Sequence, residues 1–347
     1  MDRRRFLGAM GLTAVTAGLA GCGSSSRSGT SEPKAGPSTP AASSAAASRQ
    51  VRHRYGTTTV SGSPRRVVTL GQTDHDATIA LGVVPVAVGG FLGGSYTPFR
   101  PWNSAGLDAR PPVLDMMEIA FEKVAAQAPD LILAVMSGVT KEDYAKLSRI
   151  APTIAQPVDA EDWAVPYAPH TTHVGQALGR PAEAERLVAD LDAAFADVRS
   201  ANPALQGRTA ICAELNGGDY YVLGSAAPRT QFLTDVGLTL ESSLAALAGK
   251  GYNAELSRER LDLLDGVDVV VWTTDVADQP TLLGDPLVKA LASTREGRYV
   301  LAPNGGNDDL LYSMDWGSIL SNRFALDQAL PRILRAADGD PPSDPNA

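Results

Sequence analysis

PAEAERLVADLDAAFADVR, Pro181 to Arg199, is the stretch on which the fold turns. Leu187, Val188, Leu191, Phe195 and Val198 recur at helical spacing, so one stripe of the segment is apolar. Pro181 suits a first helical turn, where its missing N–H costs nothing. Glu183 and Glu185 sit near the positive end of the helix dipole and Arg199 near the negative end. Pro203 cannot continue the helix. About twenty residues at about 1.5 Å each give a rod of about 30 Å, the width of a small domain. The chain before the rod and the chain after it read as two versions of one plan. The segment is therefore expected to be a stiff strut between two lobes.

Upstream, Arg66 to Leu70 is a short apolar strand, followed by GQTDHD and a helical patch from Ala77 to Gly82. Val83 to Val88 is a second strand, and the order strand, helix, strand predicts a parallel sheet. A Gly- and aromatic-rich loop spans Phe91 to Asn103. A short helix at Phe121 to Ala126 leads through Pro129-Asp130 into the strand Leu131 to Val135. Lys141 to Ile150 reads as a helix, and Thr153-Ile154 as the closing strand. Trp163 and Tyr167 lie in the loop before the connecting helices.

Downstream, Thr209 to Leu215 is a strand, NGGDYYVLGSAAPR a loop and Thr230 to Val236 a helix ending at Gly237-Leu238, as the first lobe's helix ends at Gly82-Val83. FEKVAAQAPDLILAV and SRERLDLLDGVDVVVW match most closely. Each has a glutamate, Glu122 or Glu259, opening a short helix, then an Asp, Asp130 or Asp268, opening an apolar strand. Arg298 to Leu301 closes the second series, and a final amphipathic helix, Ile319 to Leu334, is expected to pack on the second lobe. Internal similarity of this kind decides the fold class. The expectation is an α/β chain of two similar Rossmann-like lobes joined by one long rigid helix. A ligand cleft would lie between the lobes, at the carboxyl ends of the parallel sheets.

The N-terminus is of another kind. MDRRRFLGAMGLTAVTAGLAGC has a basic start, an apolar run too short to span a bilayer, and small residues before a cysteine. Asp2 to Leu7 resembles a twin-arginine export signal, and Leu19-Ala20-Gly21-Cys22 resembles the lipobox of bacterial lipoproteins. That resemblance implies cleavage before Cys22 and acylation of its thiol. Gly23 to Arg49 is Ser, Ala, Pro, Gly and Thr with almost no large apolar side chain, so it is expected to be a flexible tether. The boundaries follow: a signal at 1–22, tether 23–50, first lobe 51–166, connecting helices 167–201, second lobe 202–335 and a polar tail 336–347. The expected location is the cell membrane, lipid-anchored on its extracytoplasmic face.

The whole chain sets bounds. A length of 347 residues suggests two globular units. The net charge is −9, and loss of the signal takes it to about −11, which argues against nucleic acid and against a basic membrane-binding surface. Cys212 is left alone in a strand-like run and reads as a buried inert thiol. There is no phosphate-binding glycine loop, G-x-S-x-G, C-x-x-C or H-E-x-x-H, so no enzyme is expected. His170 and His173 share a helix face and read as a partly solvated helix start. Asp74, His75 and Asp76 read as a helix cap. No metal site is expected, because a tight one needs further ligands and the second lobe has no histidine.

Arg66-Val67-Val68, Ala80-Leu81-Gly82-Val83, Pro129-Asp130-Leu131-Ile132 and Ile150-Ala151-Pro152-Thr153 resemble the first lobe of iron–siderophore substrate-binding lipoproteins of ABC transporters. Asp265 to Val271 and Gly297-Arg298-Tyr299-Val300 resemble the second. The resemblance runs from about Tyr55 to Leu334 and specifies fold and transport role better than ligand. It implies a monomer with no cofactor, which captures a ferric siderophore and delivers it to an ABC-type import permease. Haem or cobalamin is the alternative ligand, and a free metal ion or a surface hydrolase the more distant reading. The family docks one acid of each lobe on permease arginines. Glu122 and Glu259 match those positions, although each also fits a helix-start acid gaining a few tenths of a kcal/mol from the dipole.

A ferric siderophore is bulky and coordinatively saturated, so its site calls for aromatic walls and arginines rather than metal ligands. By position and chemistry the candidates are Phe91, Arg100 and Trp102, then Trp163 and Tyr167, in the first half. In the second they are Tyr220, Arg229, Trp272, Tyr312 and Trp316.

Overall fold

Short apolar runs buried along their whole length form parallel strands, because such strands are covered on both faces. The computed structural model describes residues 48–90, 97–105, 107–249, 251–305 and 309–339. It opens on a hairpin of β1 (Ser48–His53) and β2 (Gly56–Ser61). The first lobe's sheet follows: β3 (Val67–Thr69), β4 (Ala87–Gly90), β5 (Val113–Asp115), β6 (Leu131–Ala134) and β7 (Thr153–Ala155). Its order is β5-β4-β3-β6-β7, with every pairing parallel.

The second lobe has β8 (Thr209–Asn216), β9 (Asp219–Leu223), β10 (Thr239–Leu240), β11 (Asn253–Leu256), β12 (Val269–Asp275) and β13 (Tyr299–Asn304). Their order is β11-β9-β8-β12-β13, with β10 also beside β8. β8, β12 and β13 are parallel, whereas β9 pairs antiparallel with both of its neighbours, β8 and β11. The expected loop NGGDYYVLGSAAPR is therefore partly a strand. Gly217 and Gly218, both at positive φ (62° and 93°), make the two-residue turn from β8 to β9. Such a turn matches the twist of the strands it joins.

The chain passes between the lobes in the helix Pro181–Ala201. Ala184 belongs to the first lobe's core, while Leu191 and Phe195 belong to the second's, so one helix is packed into both. The preceding helix, Tyr167–Leu178, lies against it so closely that a Cβ on Gly175 would stand 2.4 Å from the Ala184 Cβ.

The duplicated plan has a physical basis at two places. Asp130 accepts the backbone N–H groups of Arg65 (2.8 Å) and Arg66 (2.9 Å) just before β3. Asp268 accepts that of Thr209 (2.8 Å) at the start of β8. The helix ends also agree. Gly82 and Gly237 take positive φ, and the next residues, Val83 and Leu238, donate back to Thr78 and Leu233 at 3.0 and 3.1 Å. Glycine accepts that left-handed position without a Cβ clash.

Two boundaries differ from expectation. Ser48–Gln50 are strand rather than tether, because Val51 and Val60 of the hairpin enter the first lobe's core and Arg49 donates to the Ala177 carbonyl (3.0 Å). The last helix runs Ile319–Asp338 and buries Ala336 and Ala337, so the expected tail begins inside it. Among the described residues no helix is long and apolar enough to cross a membrane.

Candidate functional site

Parallel register brings the carboxyl ends of three strands together. Glu214 of β8 stands opposite Thr273 of β12, and Asp275 of β12 opposite Asn304 of β13. These ends floor a cavity of about 300 Å³ in the second lobe. Tyr312 and Asp315, from the helix Leu310–Asp315, form one wall, and Arg229, from the helix Pro228–Asp235, lies beneath.

Hydrogen bonds hold this floor rigid. The Tyr312 hydroxyl donates to Asn304 Oδ1 (2.6 Å), and Asn304 Nδ2 donates to Asp275 Oδ1 (2.8 Å). Arg229 is 4% exposed. Its Nε donates to Asp315 (2.9 Å), its Nη1 to Thr273 Oγ1 (2.5 Å), and its Nη2 to the Tyr252 hydroxyl (3.1 Å) and Glu214 (3.4 Å). Burial opposes its charge, but the Asp315 carboxylate and its other neighbours more than offset that and hold its pKa above the ordinary arginine value.

The first lobe reaches this site through Arg100. Its guanidinium lies 3.6 Å from the centre of the Tyr312 ring and pairs with Asp309 at 3.1 Å. Beside it the lobes meet in a buried contact. Asp76, wholly buried, accepts from Trp102 Nε1 (2.9 Å) and Asn103 Nδ2 (2.6 Å) on its own side, and from the Ser318 hydroxyl on the other. Trp102 packs edge-on against Trp316 at 5.2 Å and near Phe324 at 5.3 Å.

Of the aromatic and cationic candidates, Arg100, Arg229 and Tyr312 converge here, and several others do not. Trp272 and Tyr220 are 1% and 4% exposed and pack on each other at 6.1 Å in the second lobe's core. They line no cleft, because their strands are covered on both faces. Trp316 is 1% exposed and fills the contact between lobes. Tyr167 lies on Phe195 (6.3 Å) and bonds Asp192, so it fastens the connecting helix. Trp163, at φ +59°, lies over Gly138, where a Cβ would come within 2.6 Å of its Nε1. An indole-lined groove is thus not what the strand ends build. Arg229 is an internal strut whose three nitrogens all have protein partners. Phe91 lies outside the described residues, as does Cys22.

Sequence reading passed over Glu214, Asp275, Asp315 and Asn304. For Glu214, Asp275 and Asn304 the available signal was an acidic or amide residue at or near the end of an apolar run, in TAICAELN, VVVWTTD and YVLAPN; Asp315, on the helix Leu310–Asp315, carried no such signal.

The histidines are more buried than expected. His170 is 1% exposed and bonds Asp74 Oδ1 at 2.9 Å; His173 Nε2 lies 3.0 Å from the Ala155 carbonyl. Asp74 also accepts from the N–H groups of Gly71, Val135 and Met136. It therefore ties β3 and β6 together, a larger task than capping a helix. Burial works against its charge, but His170 and these N–H groups hold its pKa below the usual carboxylate value. No group of three His, Cys, Asp or Glu able to hold a metal occurs among the described residues. Burial pushes the Cys212 thiol up to about 12, so it stays protonated.

Comparison with known proteins agrees with this architecture. The profile of the family described as "Periplasmic binding protein" matches residues 67–304. A crystal structure of a periplasmic solute binding protein from Mycobacterium smegmatis str. MC2 155 has a TM-score of 0.74 at 35% identity, covering 84% of this chain and 99% of that one. PiaA from Streptococcus pneumoniae TIGR4, solved in complex with ferrichrome, has a TM-score of 0.70 at 26% identity, covering 84% and 99%. The ferric enterobactin-binding periplasmic protein FepB of Escherichia coli O6:H1 is 25% identical over 262 residues, 71% of this chain and 81% of FepB. Two α/β lobes, a cavity at the strand ends of the second and a profile match over most of the folded chain lead to one conclusion: this chain belongs to the periplasmic binding protein family.

Proposed function

We propose that this protein captures a ferric siderophore outside the cytoplasm and delivers it to an ABC-type import permease. The observation that carries the reading is the cavity of about 300 Å³ at the carboxyl ends of β8, β12 and β13, with Arg100 of the opposite lobe laid over its Tyr312 wall. Hydroxyl, amide and carboxylate groups around an aromatic ring suit the organic shell of a saturated chelate. The protein acts by holding its ligand and is not an enzyme. Its buried thiol is protonated, and its described histidines are committed to structural hydrogen bonds.

Glu122 and Glu259 are both exposed, each in the first turn of a short helix leading into the strand beside its lobe's central one. That equivalence supports their role as the paired acids that dock on permease arginines. Cys22 is proposed as the lipid attachment site, with 23–47 as the tether and the protein a monomer.

The test is quenching of intrinsic tryptophan fluorescence by ferric siderophores, haem and cobalamin. Saturable quenching by a ferric siderophore, and not by haem or cobalamin, is the expected result. A protein that answers only to haem or cobalamin, or to none of them, sinks the proposal.

A further inference from the structure

The charges around the cavity do not balance. Glu214, Asp275 and Asp315 line it, and Arg229 is its one lining cation among the described residues. Arg100 at the edge pairs with Asp309 through Nη1, so its charge is balanced, while its buried Nε and Nη2 have no hydrogen-bond partner in the protein. Arg229 is committed to Glu214, Asp315, Thr273 and Tyr252, so its charge is spent inside the lobe. Asp275 is exposed, and its one described partner is the neutral amide of Asn304.

A second observation marks the same place as a ligand site. Thr274, 2% exposed, lines the cavity, and its hydroxyl has no partner in the protein. A buried hydroxyl without a partner costs free energy that a bound molecule recovers by hydrogen bonding.

We infer that the cavity selects a ferric chelate whose outer shell is neutral or positively charged, such as a hydroxamate carrying a free ammonium, over anionic catecholate or carboxylate chelates. The inference rests on the siderophore reading above and names the chemical class within it. Like charges raise the cost of an anionic ligand, and the partly enclosed cavity screens them less than open water does.

The experiment is a fluorescence titration of the full chain with three ferric probes: monocationic ferrioxamine B, neutral ferrichrome and trianionic ferric enterobactin. Ferrioxamine B is expected to bind tightest and ferric enterobactin weakest, with the gap narrowing as salt is raised. Asp275→Asn keeps the bond to Asn304 and removes one charge. It is expected to reduce the preference for the cation over the trianion about tenfold while changing ferrichrome affinity far less. Its melting temperature, measured alongside, shows that the variant is folded. Enterobactin binding as tightly as ferrioxamine B, or a preference untouched by Asp275→Asn, overturns the charge inference and leaves the transport reading standing. Failure of all three probes to bind overturns both.

Discussion

In the first lobe, Asp130 holds the start of β3 and Asp74 ties the far ends of β3 and β6; in the second, Asp268 holds the start of β8, and the far ends of β8 and β12 carry Glu214 and Asp275 around a cavity. The amino ends of the two sheets are thus built alike. The carboxyl ends are not. Asp74 is wholly buried and spends its oxygens on three backbone N–H groups and His170, whereas Asp275 faces solvent. The same residue type, opening the helix after β3 in one lobe and ending β12 in the other, serves fold cohesion in the first and lines the cavity in the second. Burial and the supply of donors decide which.

The sharpest way to break this contrast is to delete both acids. Asp74→Ala strands buried N–H groups and the His170 ring, and is expected to cost about 3–5 kcal/mol in urea unfolding. Asp275→Asn is expected to stay within about 0.5 kcal/mol of the unaltered protein. Comparable losses in the two variants would erase the distinction.

Acid offers a second, smaller probe, since all four histidines precede Pro181. His53 is 1% exposed; the Tyr55 N–H donates to its Nδ1 (3.2 Å), which leaves Nε2–H for Thr58 Oγ1 (2.9 Å). Burial, then His173, lowers its pKa from 6.5 to about 4. The unfolded chain therefore takes up this proton first. Stability is full above pH 6.5 and falls as the pH drops to about 4, by on the order of 2 kcal/mol. Asp74, whose folded pKa is also depressed, adds a further loss below pH 3.8. The pH series of urea midpoints should flatten between 6.5 and 4 in His53→Gln. Hydrogen exchange should rise first in β1–β7, and a first rise in β8–β13 would contradict the assignment.

The smallest expected effects sharpen the likeness instead. Asp130→Ala and Asp268→Ala each remove an acceptor at a half-exposed strand start and are expected to cost about 1 kcal/mol apiece by thermal melting. Costs differing by more than about threefold would show that the two aspartates are not equivalent.

What the sequence made legible follows the same division. The Pro181–Ala201 helix, the buried strands and the paired Asp130 and Asp268 were readable, because periodicity and local pinning are written in neighbouring residues. The β1–β2 hairpin was not, since its apolar contribution is sparse and its core side, Val51 and Val60, faces elements far along the chain. The β8–β9 turn is announced by Gly217-Gly218, but the polar residues around it read as a longer loop. The tryptophans misled because size and loop position say nothing about direction: Trp272 points into a core and Trp316 into the other lobe. The site acids went unnoticed because an acid after an apolar run looks the same whether it meets solvent or a cavity.

The Asp76 contact has a mechanical corollary. To move the halves apart, Ser318 must let go of a carboxylate that no water reaches, and the Trp102–Trp316 pair must open at the same moment. Both breaks are costly, so this contact resists separation of the halves. A clamp of this kind sits away from the exposed Glu122 and Glu259, so neither glutamate is needed to hold the lobes together.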